Sequence, residues 1–450
     1  MTSRLSARVA AIARAFAIGS LDTPSLVQRA ASATGESART LRPLAERVAH
    51  RFHGQTRPRV RDIVALLTDD WSWLKLHLTI TDAAGRRLTR TSLTSAAVMV
   101  PVAAASRWSV PSITTTAALA EWLGFSDGEL AWFSNRAALG HEQWTSARHH
   151  YHYLLQAKRH GGIRVLEAPQ ARLKGTQRRI LTEILNQIPP WYTAAHGFVK
   201  GRSVRSFAAE HVGQAVVLRV DLVDFFPSVS RARVQALFRT IGYPEPVADA
   251  LGGLCTNTTP ASVFTPRRWP SLHADDLRNA RHLHERPHLP QGAPTSPALA
   301  NLCAWRLDCR LTGLADWAGA VYSRYADDLA FSGGSDVAKR IDEYAAHIGA
   351  IASDEGWRVQ HRKTRIMRQS VQQRLTGLLV NTRVNCSRRE VDALRATLTN
   401  CVRHSAALQN REGRPDFRAH LLGRIGWVRF VNPAKAERLQ KIFDRVDWLA

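Results

Sequence analysis

The sequence predicts an α+β fold, because a run of strand-like segments lies between two regions of helical pattern. In about the first 140 residues, segments such as SLVQRAASA and AALAEWLGFSDGELAWFSNRAAL place apolar side chains three and four positions apart, the spacing of one helix face. QAVVLRVDLVDFFPSV, from Gln214 to Val229, is rich in β-branched residues and alternates like a buried strand. Helical spacing returns beyond Asn381.

The composition is that of a globular protein with a polyanionic partner. The 450 residues are 45% hydrophobic, and 62 Lys and Arg against 37 Asp and Glu leave a net charge of +25. Such an excess favours nucleic acid as the partner and an anionic membrane surface second. An arginine bias of the genome is the remaining interpretation.

Several classes are disfavoured. The longest apolar stretch, AAVMVPVAAA from Ala96, is too short and too broken by proline to span a bilayer. The first twenty residues are basic and amphipathic but lack the apolar core of a signal peptide, so we expect an ordinary helix. The five cysteines form no C-x-x-C pair, which argues against a disulfide framework or a zinc knuckle. We expect a cytoplasmic protein without membrane contact.

The middle of the chain contains the strand signals. AKRHGGIRVLEAP predicts a hairpin that closes at Gly161 and Gly162, with a helix from Leu173. The strand that follows ends at Asp221. LPQGAPTSPALANL predicts a turn and then a helix, and GAVYSRYADDLAFSGG predicts a second hairpin with Asp327 and Asp328 at its tip.

The tail from Asn381 is predicted to be helical and basic. Ser387 and Glu390 have the spacing of a capping box, and Asn432 followed by Pro433 marks another helix start. This tail holds 14 Lys and Arg against 7 Asp and Glu. One of its faces is therefore expected to meet phosphates.

The paired acids pose a physical problem, because Tyr325, Leu329 and Phe331 surround them with apolar side chains. Burying two charged carboxylates is costly unless a cation offsets them. Adjacent strands would bring Asp221 beside Asp327 and Asp328, and such a trio suits two Mg²⁺ ions roughly 3.5–4 Å apart, with Mn²⁺ as the alternative ion. This is an arrangement for nucleotidyl transfer. A solvated turn is the competing interpretation.

Three segments, in order, resemble reverse transcriptase motifs: DLVDFFPSV from Asp221, LPQGAPTSPALAN from Leu289, and YADD from Tyr325. The resemblance implies a right-hand polymerase fold, with fingers, a palm built on an antiparallel sheet and a helical thumb. It implies fingers and palm over 141–380 and a basic thumb over 381–450, and it leaves a helical N-terminal extension over 1–140 without a match or an assigned role.

The resemblance implies roles for individual residues. The metal ligands would be Asp221, Asp327, Asp328 and the Leu222 carbonyl, and Lys363 would protonate the departing pyrophosphate. Phe226 matches the bulky residue that excludes a 2′-hydroxyl on the incoming nucleotide. The remaining contacts to nucleotide and template would come from Arg164, Lys174, Gln291 and Gly292.

Other segments resemble bacterial retron reverse transcriptases in particular. These are HGFVKGRSV from His196, FAAEH ending at His211, LTG ending at Gly377, and the final GRIGWVRFVNPAKAERL. Phe207 and Leu375 depart from the family's N-A-x-x-H and V-T-G patterns. The RNA contacts implied in this way are His211, Thr376, Gly377 and Arg424.

A retron enzyme uses a cognate structured noncoding RNA as template and primer, and it starts DNA on a guanosine 2′-hydroxyl. The resemblance therefore implies deoxynucleoside triphosphates as substrates, RNA-linked single-stranded DNA (msDNA) as product, and an effector protein as partner in antiphage defence. Two alternatives stay open. One is a defence reverse transcriptase with untemplated or protein-primed synthesis, and the other is an inactive RNA-binding scaffold.

The stretch from Ser262 to His288 is longer than the family pattern requires. Its arginines suggest an RNA-contacting insertion, with a solvated loop as the equal alternative. HLHERPH within it contains three histidines without nearby cysteine or acid at metal-site spacing, so a metal site is not predicted from the sequence.

Overall fold

The computed structural model describes residues 3–54, 58–68, 98–134, 150–158, 161–189 and 194–448. Its residues group into two compact units, and neither is one continuous stretch of chain. The first unit contains Met1–Pro189 and Val229–Ser296, and the second contains Pro190–Ser228 and Pro297–Ala450. The region boundaries predicted near residues 140 and 380 divide the chain into consecutive stretches, unlike these two units. They stay a prediction.

The elements confirm the α+β class. The strands are β1 (Tyr151–Ala157), β2 (Ile163–Pro169), β3 (Val216–Asp221), β4 (Val321–Tyr325), β5 (Asp328–Gly333), β6 (Arg365–Arg368), β7 (Arg374–Leu375) and β8 (Leu378–Leu379). The helices are α1 (Ser3–Phe16), α2 (Thr23–Thr34), α3 (Ala38–Arg51), α4 (Val60–Thr68), α5 (Thr116–Leu123), α6 (Asp127–Phe133), α7 (Ala171–Glu183), α8 (Val204–Ala209), α9 (Arg231–Ile241), α10 (Glu245–Cys255), α11 (Ala274–His284), α12 (Ser296–Cys303), α13 (Trp305–Ala318), α14 (Ser335–Lys339), α15 (Ile341–Asp354), α16 (Arg388–Arg403), α17 (Ala406–Gln409), α18 (Phe417–Val431) and α19 (Pro433–Phe443).

The first four helices pack around a core of their own. Local sequence signals set their ends: the Asp22 side chain accepts from the Ser25 amide at the start of α2, and Gly35 ends that helix in the left-handed region at φ 71°. Within the described part of residues 1–140 the regular elements are helices, as the apolar spacing predicted. The fully buried side chains of this core include Ile12, Phe16, Leu26, Leu41, Ile63 and Leu67.

A hairpin of β1 and β2 follows in the same unit. Its turn contains Gly161 and Gly162 at φ 87° and 81°, a backbone that only glycine adopts without strain. The Lys158 amide donates to the Gly162 carbonyl at 2.9 Å and closes the turn. This hairpin agrees with the prediction, and α7 begins two residues before the expected Leu173.

The stretch from Ser262 to His288 is folded rather than a solvated loop. It contains α11, and its apolar side chains Phe264 and Leu277 are buried against Leu155 and Val165 of the hairpin. Contact with RNA stays a prediction for this segment. All five of its arginines are exposed, namely Arg267, Arg268, Arg278, Arg281 and Arg286.

The second unit is built on a four-stranded antiparallel sheet in the order β4-β5-β3-β6. β3 lies inside the sheet between β5 and β6, and five of its six residues are buried. The strand covers Val216–Asp221, within the segment Gln214 to Val229, and it ends at Asp221 as predicted. The chain turns just after Asp221, so that acid marks the end of the strand.

Helices α16 to α19 form the end of the second unit. The Asn432 side chain accepts from the Lys435 amide at 3.1 Å with Pro433 in the first turn, which confirms the predicted start of α19. Ser387 precedes α16, but its side chain makes no capping hydrogen bond. Glu390 pairs instead with Arg374 at 2.5 Å, so the predicted capping box is wrong.

Close approach in the first unit makes Gly253, within α10, sensitive to substitution. A β-carbon there would overlap the backbone carbonyl of Ser134. We therefore expect Gly253→Ala to lower the free energy of unfolding by about 1–3 kcal/mol, through forced backbone shifts. Gly349, in α15 of the second unit, has open space around its α-carbon. Gly349→Ala should raise stability by about 0.5–1 kcal/mol. Urea denaturation of both variants measures the difference, and equal effects would contradict this account of packing.

Candidate active site

The sheet of the second unit brings the three acids to one end of two neighbouring strands. Asp221 is the last residue of β3 and is directly opposite Asp328, the first residue of β5. Beside them, the Leu222 amide donates to the Asp327 carbonyl at 2.9 Å. Directly opposed residues in an antiparallel pair have β-carbons about 4.5–5.5 Å apart. Acids more than a hundred residues apart in sequence therefore become neighbours.

A tight turn presents Asp327. Tyr325 of β4 pairs with Asp328 of β5, so only Ala326 and Asp327 connect the two strands. Ala326 takes φ 56°, a left-handed conformation that a two-residue hairpin turn demands. Gly197 lies against this turn, and a β-carbon there would come within 2.5 Å of the Ala326 amide nitrogen. The turn is fixed by close backbone contact.

A buried ion pair supports the same turn. Arg324 is fully buried, and its guanidinium donates to both carboxylate oxygens of Asp308 at 2.7 and 2.6 Å. A further nitrogen of Arg324 donates to the Ala326 carbonyl at 3.1 Å and to Asn301 at 2.9 Å. The pair was not predicted, because nothing in the sequence pattern links Asp308 on α13 with Arg324 on β4.

Two cations lie against the acids. Lys363 Nζ is 2.9 and 3.1 Å from the two carboxylate oxygens of Asp221. Arg219 donates from Nε and Nη2 to Asp328 Oδ1 at 2.9 and 2.6 Å. Lys363 is one of the residues predicted from the sequence, whereas Arg219 is not. The available signal was strand periodicity, since Arg219 lies two residues before Asp221 and therefore on the same face of β3.

The third acid is the least compensated. Burial, with repulsion from Asp328 and Asp221, raises the pKa of Asp327 to about 6. Burial also raises the pKa of Asp328, although Arg219 opposes that change. A divalent cation bound here would offset the buried negative charge and the repulsion between the carboxylates. Carboxylate oxygens are ligands that such cations prefer. Asp221, Asp327 and Asp328 therefore form a donor set that fits Mg²⁺ or Mn²⁺, and the main chain of Leu222 is adjacent.

Phe226 lies in the turn that follows β3. It is partly buried, and its ring centroid is 5.6 Å from that of Phe225 and 6.0 Å from that of Phe198. Phe225 in turn stacks on the buried Trp357 at 5.0 Å. Phe198 is half exposed. Phe226, in the turn after β3, and Phe198 therefore form a partly exposed aromatic surface.

The other predicted nucleotide contacts belong to the first unit. Arg164 on β2 and Lys174 on α7 are both exposed. Gln291 accepts from the Glu167 amide at 2.9 Å through its carbonyl. Gly292 takes φ 135°, and a β-carbon there would come within 2.9 Å of the Glu167 carbonyl oxygen. The turn at Gln291 and Gly292 is thus packed on β2, as a glycine in that position suggests.

The prediction that His211 contacts RNA is wrong. Its side chain is completely buried, and its ring nitrogens bond Ser332 at 2.6 Å and Ser323 at 2.7 Å. Burial lowers its pKa to about 3, so the ring is neutral at physiological pH. His211 instead joins β4 and β5 from beneath the hairpin that carries the acids.

The remaining predicted RNA contacts are accessible. Thr376 and Gly377 form the turn between β7 and β8, with φ 45° and 91°. Both are partly exposed, and so is Arg424 on α18. Their contact with RNA stays a prediction.

Comparison with known proteins agrees with these features. Residues 156–381 match the family model described as reverse transcriptase (RNA-dependent DNA polymerase). The retron Mx65 reverse transcriptase of Myxococcus xanthus is 40% identical over 75% of this chain and 73% of its own length. This chain belongs to the retron reverse transcriptase family. It is therefore an RNA-directed DNA polymerase with the right-hand polymerase fold, which copies an RNA template with deoxynucleoside triphosphates.

Two other retron relatives are similar over shorter shares. The retron Mx162 reverse transcriptase of Myxococcus xanthus is 34% identical over 71% of this chain and 64% of its own length. The retron Ec86 reverse transcriptase of Escherichia coli is 30% identical over 52% of this chain and 64% of its own length. Reverse transcriptases generally use divalent metal ions, in agreement with the carboxylate set. Among the described residues, no helix has the length and apolar character needed to cross a membrane.

The buried pair of Arg324 and Asp308 should matter for stability. Asp308→Asn leaves a buried guanidinium without its counter-charge, so we expect a loss of about 3–5 kcal/mol in the free energy of unfolding. Glu343→Gln is the matched control, because Glu343 pairs with Arg340 at the surface and exposed pairs contribute only about 0–1 kcal/mol. Urea denaturation measures both, and a similar small loss in the two variants would contradict the supporting role.

The raised pKa of Asp327 predicts a pH-dependent gain in folding stability when a substitution removes its charge. In buffer with EDTA, Asp327→Asn should be more stable than the parent by about 1–3 kcal/mol at pH 7.5. The folded parent keeps the Asp327 proton up to a pH of about 6, while the unfolded chain loses it near 4. The gain should therefore vanish below pH 4, grow between pH 4 and 6, and stay constant above.

Asp336→Asn is the control for this measurement, because Asp336 is 91% exposed and pairs with the exposed Lys339. Its stability should change little across the same pH range. Thermal melts at several pH values decide the matter. A pH-independent gain for Asp327→Asn would show that lost repulsion is not its cause.

Proposed function

We propose that this protein makes RNA-linked single-stranded DNA from a cognate structured noncoding RNA, by nucleotidyl transfer with two Mg²⁺ ions. Mn²⁺ is the alternative ion. The observation that carries the proposal is the register of β3 and β5, which sets Asp221 opposite Asp328 with Asp327 in the adjoining turn. Phosphoryl transfer needs charge neutralisation and positioning above all. The acids at this end of the sheet would hold the divalent ions that provide both.

In this mechanism, Asp221, Asp327, Asp328 and the Leu222 carbonyl hold the divalent ions. Bound metal neutralises the triphosphate and lowers the pKa of the attacking hydroxyl. Lys363 protonates the departing pyrophosphate. Two observations support that role: its ammonium lies 2.9 Å from Asp221, and its side chain is 47% exposed and so able to reach a ligand.

The aromatic surface after β3 supports DNA as the product. Phe226 would lie under the sugar of the incoming nucleotide and exclude a 2′-hydroxyl by volume, and its packing against Phe225 and Phe198 limits its freedom to move away. In the first unit, the exposed cations Arg164 and Lys174 would bind triphosphate and template. Gln291 and Gly292 would support the templating base.

RNA recognition is assigned to shape and phosphate contacts, because an A-form duplex hides its base edges in a narrow groove. The basic helices from Asn381 onward, with Arg424 among them, and the turn at Thr376 and Gly377 are the proposed surface. A guanosine 2′-hydroxyl of the same RNA would prime synthesis. The product would act with an effector protein in cytoplasmic antiphage defence, a role that rests on membership of the retron family alone.

The test is DNA synthesis from the noncoding RNA that is encoded next to the gene for this protein. Purified protein with that RNA, Mg²⁺ and deoxynucleotides should yield a discrete DNA joined to RNA, and an Asp327→Asn/Asp328→Asn form should yield at least a thousandfold less, since the metal ions lose two ligands. The matched control is Asp336→Asn/Asp342→Asn, which changes two exposed acids of the same unit.

Sequencing the product separates the proposal from its competitors. DNA complementary to the RNA supports templated synthesis. DNA unrelated to any co-purified RNA rejects it in favour of untemplated extension, and unchanged synthesis by the double variant rejects the metal ligands.

A further inference from the structure

Three side chains of types that bind metals lie together inside the first unit. Glu167 comes from β2, His284 from the end of α11, and His288 from the segment that follows. All three are buried, with 0%, 3% and 1% of their surface exposed. One ligand atom from each lies within 4.8 Å of the other two.

The hydrogen bonds of the two rings fix their orientation. Nδ1 of His284 is 2.7 Å from the Ala280 carbonyl, and Nδ1 of His288 is 2.7 Å from the Arg286 carbonyl. A carbonyl only accepts, so Nδ1 carries the proton in both rings, and Nε2 is the nitrogen through which each would bind a metal. Histidines that bind metals commonly donate their other N–H to a backbone carbonyl in this way.

The carboxylate is held in a matching way. Oε1 of Glu167 accepts from Asn257 at 2.8 Å and from Thr259 at 2.7 Å, while Oε2 lies 2.9 Å from Nε2 of His288. With Nδ1 protonated, a neutral His288 would point a lone pair at Oε2. A cation must therefore lie between them, and that cation is either a second proton on His288 or a metal ion.

We propose that Glu167, His284 and His288 bind one Zn²⁺ ion. A proton would join His288 and Glu167 alone, whereas a metal ion would also bind His284, whose ligand atom lies within 4.8 Å of the other two. Two imidazoles and one carboxylate are ligands that Zn²⁺ takes at about 2.0–2.2 Å in tetrahedral geometry, with a water molecule in the fourth position. To share one ion at these bond lengths, the ligand atoms, which lie within 4.8 Å of one another, would need to be about 3.3–3.6 Å apart.

The ion would stabilise the turn at Gln291 and Gly292. Glu167 binds that turn through its backbone, and His288 is joined to Asn257 by two backbone hydrogen bonds of 2.9 Å. A zinc ion on these side chains would tie β2 to the segment that leads into the turn. Its task is structural, and the proposal does not depend on the function proposed above.

The first experiment measures zinc in untagged protein, purified without chelator, by plasma mass spectrometry. We expect about one Zn²⁺ per chain, and less than a tenth of that in His284→Gln and in His288→Gln. His282→Gln is the matched control, because His282 lies on the same helix and is 79% exposed. It should keep the ion, and so should Asp327→Asn/Asp328→Asn, which separates this site from the carboxylate site.

The parent protein decides the matter even if the variants do not fold. After removal of zinc, addition of Co²⁺ should produce the strong visible absorption of a tetrahedral site, and one equivalent of Zn²⁺ should abolish it. Zinc should also raise the Tm, since the ion binds only the folded chain. A parent without zinc and without the Co²⁺ spectrum would overturn the proposal and leave His288 as an imidazolium paired with Glu167. Zinc retained by folded His284→Gln would overturn it as well.

Discussion

Repulsion among three carboxylates at one end of a sheet is the constraint on which the second unit depends. Burial raises the pKa of Asp327 and of Asp328 and so opposes their charge, yet ionised acids are what a divalent cation binds. Lys363 and Arg219 offset two of the three charges and leave Asp327 with the least compensation. The fold thus tolerates a cluster that is unfavourable by itself and becomes favourable when a cation binds.

A site under such repulsion needs rigid support, and the neighbouring residues provide it. Arg324 and Asp308 form a buried pair that holds the carbonyl of the hairpin turn, and Gly197 lets the backbone approach that turn. His211 joins the two strands of the hairpin from the buried side. None of these residues needs to touch a substrate to matter, because they fix where the acids lie.

Much of the fold could be predicted from the sequence, because it depends on local signals. The glycine turn of the first hairpin, the helix start at Asn432 and Pro433, and the strand that ends at Asp221 all follow from short-range backbone preferences. The predictions that are wrong concern residues whose contacts depend on a partner distant in sequence. Ser387 and Glu390 have the spacing of a capping box, but Arg374 takes the Glu390 carboxylate. His211 lies in a motif that suggested RNA, but two serines on separate strands enclose it.

The sequence alone determined the class of the protein and the identity of the acids at the candidate site, because an apolar context around paired aspartates and the order of the motifs are properties of the chain itself. Only the tertiary structure decided which cations face those acids, and that Glu167 lies beside two histidines more than a hundred residues away in sequence. The physical reason is that electrostatic and metal-binding partners are selected by proximity in space, and strand pairing creates that proximity without leaving a spacing rule in the sequence.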